Sequence, residues 1–173
     1  MSYGELLTRS TILLALAGYF VGAGLEAAAP ANSQTIGVRK LARAAWTIGC
    51  LVDLAHVACA FVFYHHGSHA AAYRHTAERT EALVGWPWGG GLYFNYVFTV
   101  VWLLDAAWWW LSPQARAQRP RWLAVSVHAF LWFMVANATI VFAAGPARWL
   151  GVVGCGTLLI VWSCCGGRSK VVG

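Results

Sequence analysis

The sequence predicts an all-α, polytopic membrane helix bundle: one integral membrane domain over residues 1–173, with about five transmembrane helices and one short interfacial helix between spans two and three. Hydrophobic residues make up 60% of the chain and charged residues only 10%, whereas a soluble domain carries about a quarter charged residues. Five apolar runs reach the roughly 17–25 residues that a helix needs to cross a bilayer. The remaining charges lie mostly in short clusters between these runs.

The predicted spans follow one another along the chain and leave no appended soluble module. The first is not expected to be a cleaved signal peptide, because Glu5 precedes it and a positively charged n-region is missing. The last is the shortest. The spans are residues 11–29, 44–64, 92–112, 122–143 and 149–165.

The Lys and Arg residues predict the orientation of these spans. Cytoplasmic loops carry an excess of Lys and Arg, and the alternation of spans puts eight basic residues on one side and four on the other. We therefore expect a multi-pass protein of the cell membrane, with its N-terminus outside and its C-terminus in the cytoplasm. Nucleic acid is not an expected partner, because the net charge of +6 is spread over several loops. The eight are Arg39, Lys40, Arg43, Arg116, Arg119, Arg121, Arg168 and Lys170, and the four are Arg9, Arg74, Arg79 and Arg148.

Residues 65–91 form a histidine-rich connection on the predicted outer side. Residues 68–84 are predicted to be a helix lying along the membrane interface, which Gly85 ends. His65 and His69 are four residues apart, so a continuous helix would place them on one face. Imidazole suits Cu, Zn and Fe, and we predict a transition-metal site here; the alternative is interfacial packing, since histidine has an apolar body and a polar tip. The predicted ligands are His65, His66, His69 and His75.

Four ionisable residues lie inside the predicted spans and form a predicted polar core: Asp53, His56, Asp105 and His128. Such residues are costly at membrane depth and are candidates for function. A rise of 1.5 Å per residue puts Asp105 and His128 at a similar depth, so they are able to pair, but separates His56 from His128 by about 9 Å. A haem held by two histidines is therefore not expected. Two interpretations stay open: a proton or ion route, and a polar clasp between helices.

Small residues in the first and last spans predict close helix contacts. Gly18 and Gly22 form a GxxxG pair, and Gly151, Gly154 and Gly156 crowd the fifth span. Glycine at such positions lets helix backbones approach each other in membranes. The five cysteines are interpreted as small apolar packing residues and not as a disulfide framework.

Three functional hypotheses follow from the sequence. The preferred one is binding or handling of a transition metal at the outer face, above the polar core. The second is a non-catalytic membrane subunit or assembly factor, or a homo-oligomer, with helix faces for partner helices. The third is an enzyme acting on a lipid or quinone. None of the common soluble catalytic or nucleotide-binding motifs occurs, so catalytic residues are not assigned and the question of enzymatic activity stays open.

Overall fold

The structure is a computed structural model that describes residues 3–29, 36–143 and 145–165. Within these residues the chain is helical and contains no strand, which confirms the predicted all-α fold. Two of the helices, α2 and α6, continue into a π-helical turn, at Ala60–Tyr64 and Asn137–Val141. The helices are α1 Tyr3–Ala28, α2 Ile36–Cys59, α3 His69–Val84, α4 Gly91–Leu111, α5 Pro113–Ala117, α6 Arg121–Ala136 and α7 Pro146–Cys165.

Four helices of the described chain are long and apolar enough to cross a membrane, which makes this a multi-pass membrane protein. Large apolar side chains such as Leu14, Ile48 and Ile160 lie exposed on their outer faces, where hydrocarbon is the expected environment. The spanning segments are Tyr3–Ala28, Ile36–Tyr64, Arg121–Val141 and Ala147–Cys164.

The third predicted span corresponds to α4, which is not among these four. Its 21 residues would extend about 31 Å, close to the thickness of a bilayer core. Asn95, Asp105 and a run of three tryptophans interrupt its aliphatic sequence. It nevertheless packs between α2 and α6 and connects the same two ends of the bundle. A fifth membrane crossing by α4 stays a prediction, and its position in the bundle is the argument for it.

The bundle has two different ends. Gly4 at the start of α1 lies against Phe63 at the end of α2, and α3 lies at this end, where Arg79 donates a hydrogen bond to the Phe142 carbonyl oxygen (2.7 Å). At the opposite end the short helix α5 contacts the C-terminal part of α1 through Arg116 and Glu26. We call these the α3 end and the α5 end.

Close glycine contacts hold α1 against α2, as the GxxxG pair predicts. A Cβ atom added at Gly18 would lie 2.5 Å from the Cα atom of Gly49, and one at Gly22 would lie 2.9 Å from the backbone nitrogen of Trp46. Both neighbours are backbone, so only glycine permits this spacing. In α7 the added Cβ would collide with Thr139 at Gly151 and with Phe20 at Gly154, whereas at Gly156 it meets no described atom within 4 Å.

A turn separates α2 from α3 and caps the beginning of α3. His66 and Gly67 both adopt left-handed backbone conformations, with φ of 50° and 72°. The Ser68 hydroxyl then accepts a hydrogen bond from the Ala71 backbone N–H (3.2 Å) as the N-cap of α3, which satisfies a donor that the helix itself leaves open. At the other end Gly85, with φ of 75°, ends α3 as predicted.

Candidate functional site

A cavity of about 280 Å³ lies inside the bundle beneath α3. We call it the α3-end cavity. It extends from His65 and His75 under α3 to Tyr19 and Trp102 in the middle of the bundle, and α1, α2, α3, α4 and α6 all contribute to its wall. Apolar and aromatic side chains make up most of that wall and polar side chains the rest, a combination that small-molecule sites also show. The polar residues that line it are Asp53, His56, His65, His75, Thr76, Asn95 and Thr99, together with Tyr19 and Tyr96.

Asp53 is the acidic residue of this cavity. It lies about 16 Å along the helix from Tyr64, near the middle of a membrane span. The residue is only 5% exposed, and the Thr99 hydroxyl donates a hydrogen bond to its Oδ2 atom (3.1 Å). Among the described residues, neither Lys nor Arg lines the cavity. An ionised carboxylate at this depth needs a positive partner, and no Lys or Arg of the described chain lies here to supply a permanent one.

His56 lies one turn above Asp53 on α2, as the spacing of three residues predicts. Its Nδ1 atom donates to the Thr8 backbone oxygen of α1 (3.0 Å), and the Thr11 hydroxyl lies 3.4 Å from the same nitrogen. In the neutral imidazole, a proton on Nδ1 leaves the lone pair on Nε2. Since His56 lines the cavity, this nitrogen is able to accept a hydrogen bond from a bound molecule.

His65 and His75 meet at the rim of the cavity, with ring centroids 5.4 Å apart. The pKa of His65 is lowered by burial and then by the nearby imidazoles of His75 and His66. The neutral imidazole is therefore favoured in the folded protein at pH 7. Because the pKa of His65 is lower in the folded protein than in the unfolded chain, the free energy of unfolding decreases as the pH falls below about 6.5.

The other two predicted metal ligands lie elsewhere. The turn at His66 breaks the helix, so His65 and His69 are not on one helix face, and the spacing argument for that pair was wrong. His66 is exposed in the turn, and the ring of His69 lies against Tyr93 (5.9 Å) and Tyr96 (6.0 Å). Within the described ranges, no group of three or more His, Cys, Asp or Glu residues is arranged to hold a metal ion. The geometry thus gives the predicted four-histidine site no support.

An aromatic layer forms the floor of the cavity. Tyr19, Trp46 and Trp102 are at most 1% exposed, and their ring centroids lie 5.4–5.6 Å from one another. Across the part of the chain that the structure describes, the Tyr19 hydroxyl and both indole N–H groups have no hydrogen-bond partner. Buried polar groups are normally satisfied. Two of these residues, Tyr19 and Trp102, line the cavity, so their donors are candidates for contacts with a ligand.

Below this layer, at the α5 end, lies a buried ionic cluster. Arg116 donates to both carboxylate oxygens of Asp105 (2.7 Å from Nη2 to Oδ2) and to Glu26 (2.7 Å from Nη1 to Oε1). Arg119 also donates to Asp105, and its Nη2 atom lies 3.1 Å from His128 Nε2. Two carboxylates thus balance two guanidinium groups, which makes the cluster neutral when His128 is neutral.

Asp105 and His128 are therefore close together but do not pair directly. Arginine can only donate, so Arg119 makes Nε2 of His128 the acceptor and leaves the imidazole proton on Nδ1. That Nδ1 atom has no partner within the described ranges, and the ring lies 5.7 Å from Trp46 and 6.1 Å from Trp162. The cluster joins α1, α4, α5 and α6, as a polar clasp between helices would.

Comparisons of the chain with protein-family models, with curated proteins and with solved structures found no match.

The predicted polar core is divided into two parts. Asp53 and His56 belong to the α3-end cavity, whereas Asp105 and His128 belong to the ionic cluster, and the aromatic layer lies between them. Sequence reasoning missed Glu26, Arg116 and Arg119 as members of the core. Asp105 could have pointed to them from the sequence, because a carboxylate buried at that depth requires a nearby cation and the prediction gave it none.

Proposed function

We propose that this protein binds a small organic cation in the α3-end cavity, with Asp53 as the counter-charge. The observation that carries the proposal is a buried carboxylate that lines a largely apolar and aromatic cavity in which the described chain provides no Lys or Arg. A cationic ligand would supply the missing charge. Its apolar part would lie against the carbon-rich walls.

The aromatic side chains favour an ammonium ion with organic substituents. Tyr19, Tyr96, Phe98 and Trp102 all line the cavity, and the faces of such rings attract alkylammonium groups, more strongly where water is excluded. The open lone pair of His56 and the unpartnered donors of Tyr19 and Trp102 are then available for polar atoms of the ligand. Inorganic cations such as Ca²⁺ and Mg²⁺ bind through several oxygen ligands that usually include more than one carboxylate, and Asp53 is the single carboxylate among the described residues that line this cavity.

Binding of cations and of their neutral isosteres to the purified protein in detergent tests this proposal. We expect a quaternary ammonium compound to bind and its neutral tert-butyl isostere to bind far more weakly. Asp53→Asn keeps the shape of the side chain but removes its charge, so we expect the Kd of the cation to rise at least about tenfold, roughly 1.4 kcal/mol.

Glu78→Gln is the matched control, because it removes the same charge from an exposed position on α3. Its Kd for the cation should equal that of the wild type. Equal affinity of the charged and the neutral compound, or an unchanged Kd in Asp53→Asn, would overturn the proposal. Equal stabilisation by sodium or potassium ions at the same concentration would overturn the organic nature of the ligand.

A transition metal bound by His65 and His75 is a second candidate function, favoured by the approach of these two rings. Both would be neutral ligands, and the metal would need further ligands beyond them. We expect zinc or copper supplied to the purified protein to be retained by the wild type and lost in His75→Ala. His69→Ala should retain the metal, because the ring of His69 packs on tyrosines. Equal retention by all three proteins would contradict this candidate.

We also propose that the α5 end faces the cytoplasm. Of the basic residues in the described ranges, six lie at the α5 end and four at the α3 end, and cytoplasmic loops carry the excess. Arg168 and Lys170, which are predicted to lie on the same side of the membrane, are outside the described residues. With this orientation the α3-end cavity opens toward the outer side of the membrane.

A further inference from the structure

A second cavity, of about 470 Å³, lies at the α5 end of the bundle. It is separate from the α3-end cavity and shares none of its lining residues. We call it the α5-end cavity. Parts of α1, α2, α4, α5 and α6 surround it, at the level where the spanning helices end and phospholipid headgroups are expected. Its charged lining residues are Glu26, Arg39, Lys40, Arg43, Arg116 and Arg119.

The positive charge of the α5-end cavity is only partly compensated. Arg116 and Arg119 are balanced by Glu26 and Asp105 within the ionic cluster. The other three cations, all on the first turns of α2, form no ion pair with any described carboxylate. The cavity therefore carries an excess of three positive charges, from Arg39, Lys40 and Arg43.

One of these cations is held in place by an aromatic ring. The guanidinium group of Arg43 lies over the ring of Trp110, 3.9 Å from its centroid. Trp110 is in turn held by the hydrogen bond from its indole N–H to the Thr47 hydroxyl (2.9 Å). Stacking leaves the edge of the guanidinium free to donate, and this planar fork of N–H groups matches the oxygens of a phosphate.

We propose that the α5-end cavity binds an anionic phosphate group. Its source is either the headgroup of an anionic phospholipid or a free phosphate. Basic pockets between membrane helices are suited to phospholipid headgroups, and the apolar residues Ile36, Trp109 and Ala124 in the wall suit the glycerol and the first carbons of acyl chains.

Lipid binding to the detergent-purified full chain, measured by native mass spectrometry, tests the lipid source. We expect one equivalent of phosphatidylglycerol to bind at least about fivefold more tightly than phosphatidylcholine with the same acyl chains. Arg43→Gln should weaken phosphatidylglycerol binding about fivefold, the effect of one basic residue near a lipid headgroup.

Arg121→Gln is the matched control, since Arg121 is an exposed arginine at the same end of the bundle that does not line the cavity. The affinity of Arg121→Gln for phosphatidylglycerol should stay within about twofold of that of the wild type, because detergent micelles lack the surface potential of an anionic bilayer. Thermal unfolding in inorganic phosphate, compared with chloride at equal ionic strength, tests the free-phosphate source. Stabilisation that Arg43→Gln abolishes and Arg121→Gln retains would assign the site to free phosphate.

If Arg43→Gln and Arg121→Gln weaken phosphatidylglycerol binding equally, the proposal is overturned, because the effect would then come from surface charge and not from the cavity. The absence of any preference for phosphatidylglycerol, together with no effect of inorganic phosphate, would overturn it as well.

Discussion

Arg116→Met is expected to destabilise the protein by about 3–5 kcal/mol, the usual result of breaking a buried ion pair. Arg116 is 4% exposed and lies between Asp105 and Glu26, with its guanidinium group over the ring of Trp109 (3.8 Å to the centroid). Its loss leaves two carboxylates with Arg119 as their remaining cation in the cluster. Unfolding of the detergent-solubilised protein in denaturant measures the effect.

Two further variants separate charge balance from packing. Arg121→Met makes the same substitution at an exposed position at the start of α6, so it should change stability by no more than about 0.5 kcal/mol. Adding Asp105→Asn to Arg116→Met restores the balance between Glu26 and Arg119, and should recover part of the lost stability. If Arg116→Met unfolds at the same denaturant concentration as Arg121→Met, the ionic cluster does not hold the helices together.

Gly18→Val is expected to force α1 and α2 apart. Even the first carbon of the new side chain would lie 2.5 Å from the Cα atom of Gly49 and 3.0 Å from the Ala45 carbonyl oxygen. Carbon atoms prefer about 3.5–4.0 Å, so the helices must separate by about 1 Å or more. Overpacking of this kind costs about 1–3 kcal/mol, and occasionally more.

Gly156→Val provides the comparison within the same fold. A Cβ atom at Gly156 meets no described atom within 4 Å, so the free energy of unfolding of this variant should lie within about 0.5 kcal/mol of the wild-type value. Similar stability of the two variants in a denaturant titration would contradict the close α1–α2 contact.

The membrane helices could be predicted because their signal is simple. Long apolar runs favour spanning helices wherever water is absent, and four of the five predicted spans match helices that meet the requirement. The helix starts were less predictable. α1 begins at Tyr3 and α2 at Ile36, before the apolar runs, because polar residues continue a helix beyond the hydrocarbon.

The histidine spacing was misread because the sequence between the histidines contains a helix break. Gly67 and Ser68 provide a left-handed residue and an N-cap, which end one helix and begin the next. The sequence did contain a sign of this break, since Gly is common just after a helix ends and Ser is common just before a helix begins. Contact between His65 and His75, ten positions apart on either side of this turn, depends on the angle between α2 and α3 and could not be read from periodicity.

The ionic cluster could be predicted only in part. The depths estimated along the spans predicted that Asp105 and His128 lie at a similar level, and the structure places both in one cluster. Arg116 and Arg119 were interpreted as loop charges that set orientation. Their second role depends on α5, a helix of five residues that folds back against the bundle. A helix this short has no apolar periodicity, so its position follows from tertiary contacts alone.

The central claim is that Asp53 is the counter-charge for a cationic ligand in the α3-end cavity. An experimental structure of the protein with the tightest-binding ammonium compound tests it most directly. We predict that the ligand lies between the α3 rim and the aromatic layer, with its charged nitrogen nearest to the Asp53 carboxylate. For a protonated amine, the distance from nitrogen to oxygen should be about 2.7–2.9 Å. A ligand bound outside the cavity, or bound inside with its nitrogen directed away from Asp53, would contradict this account.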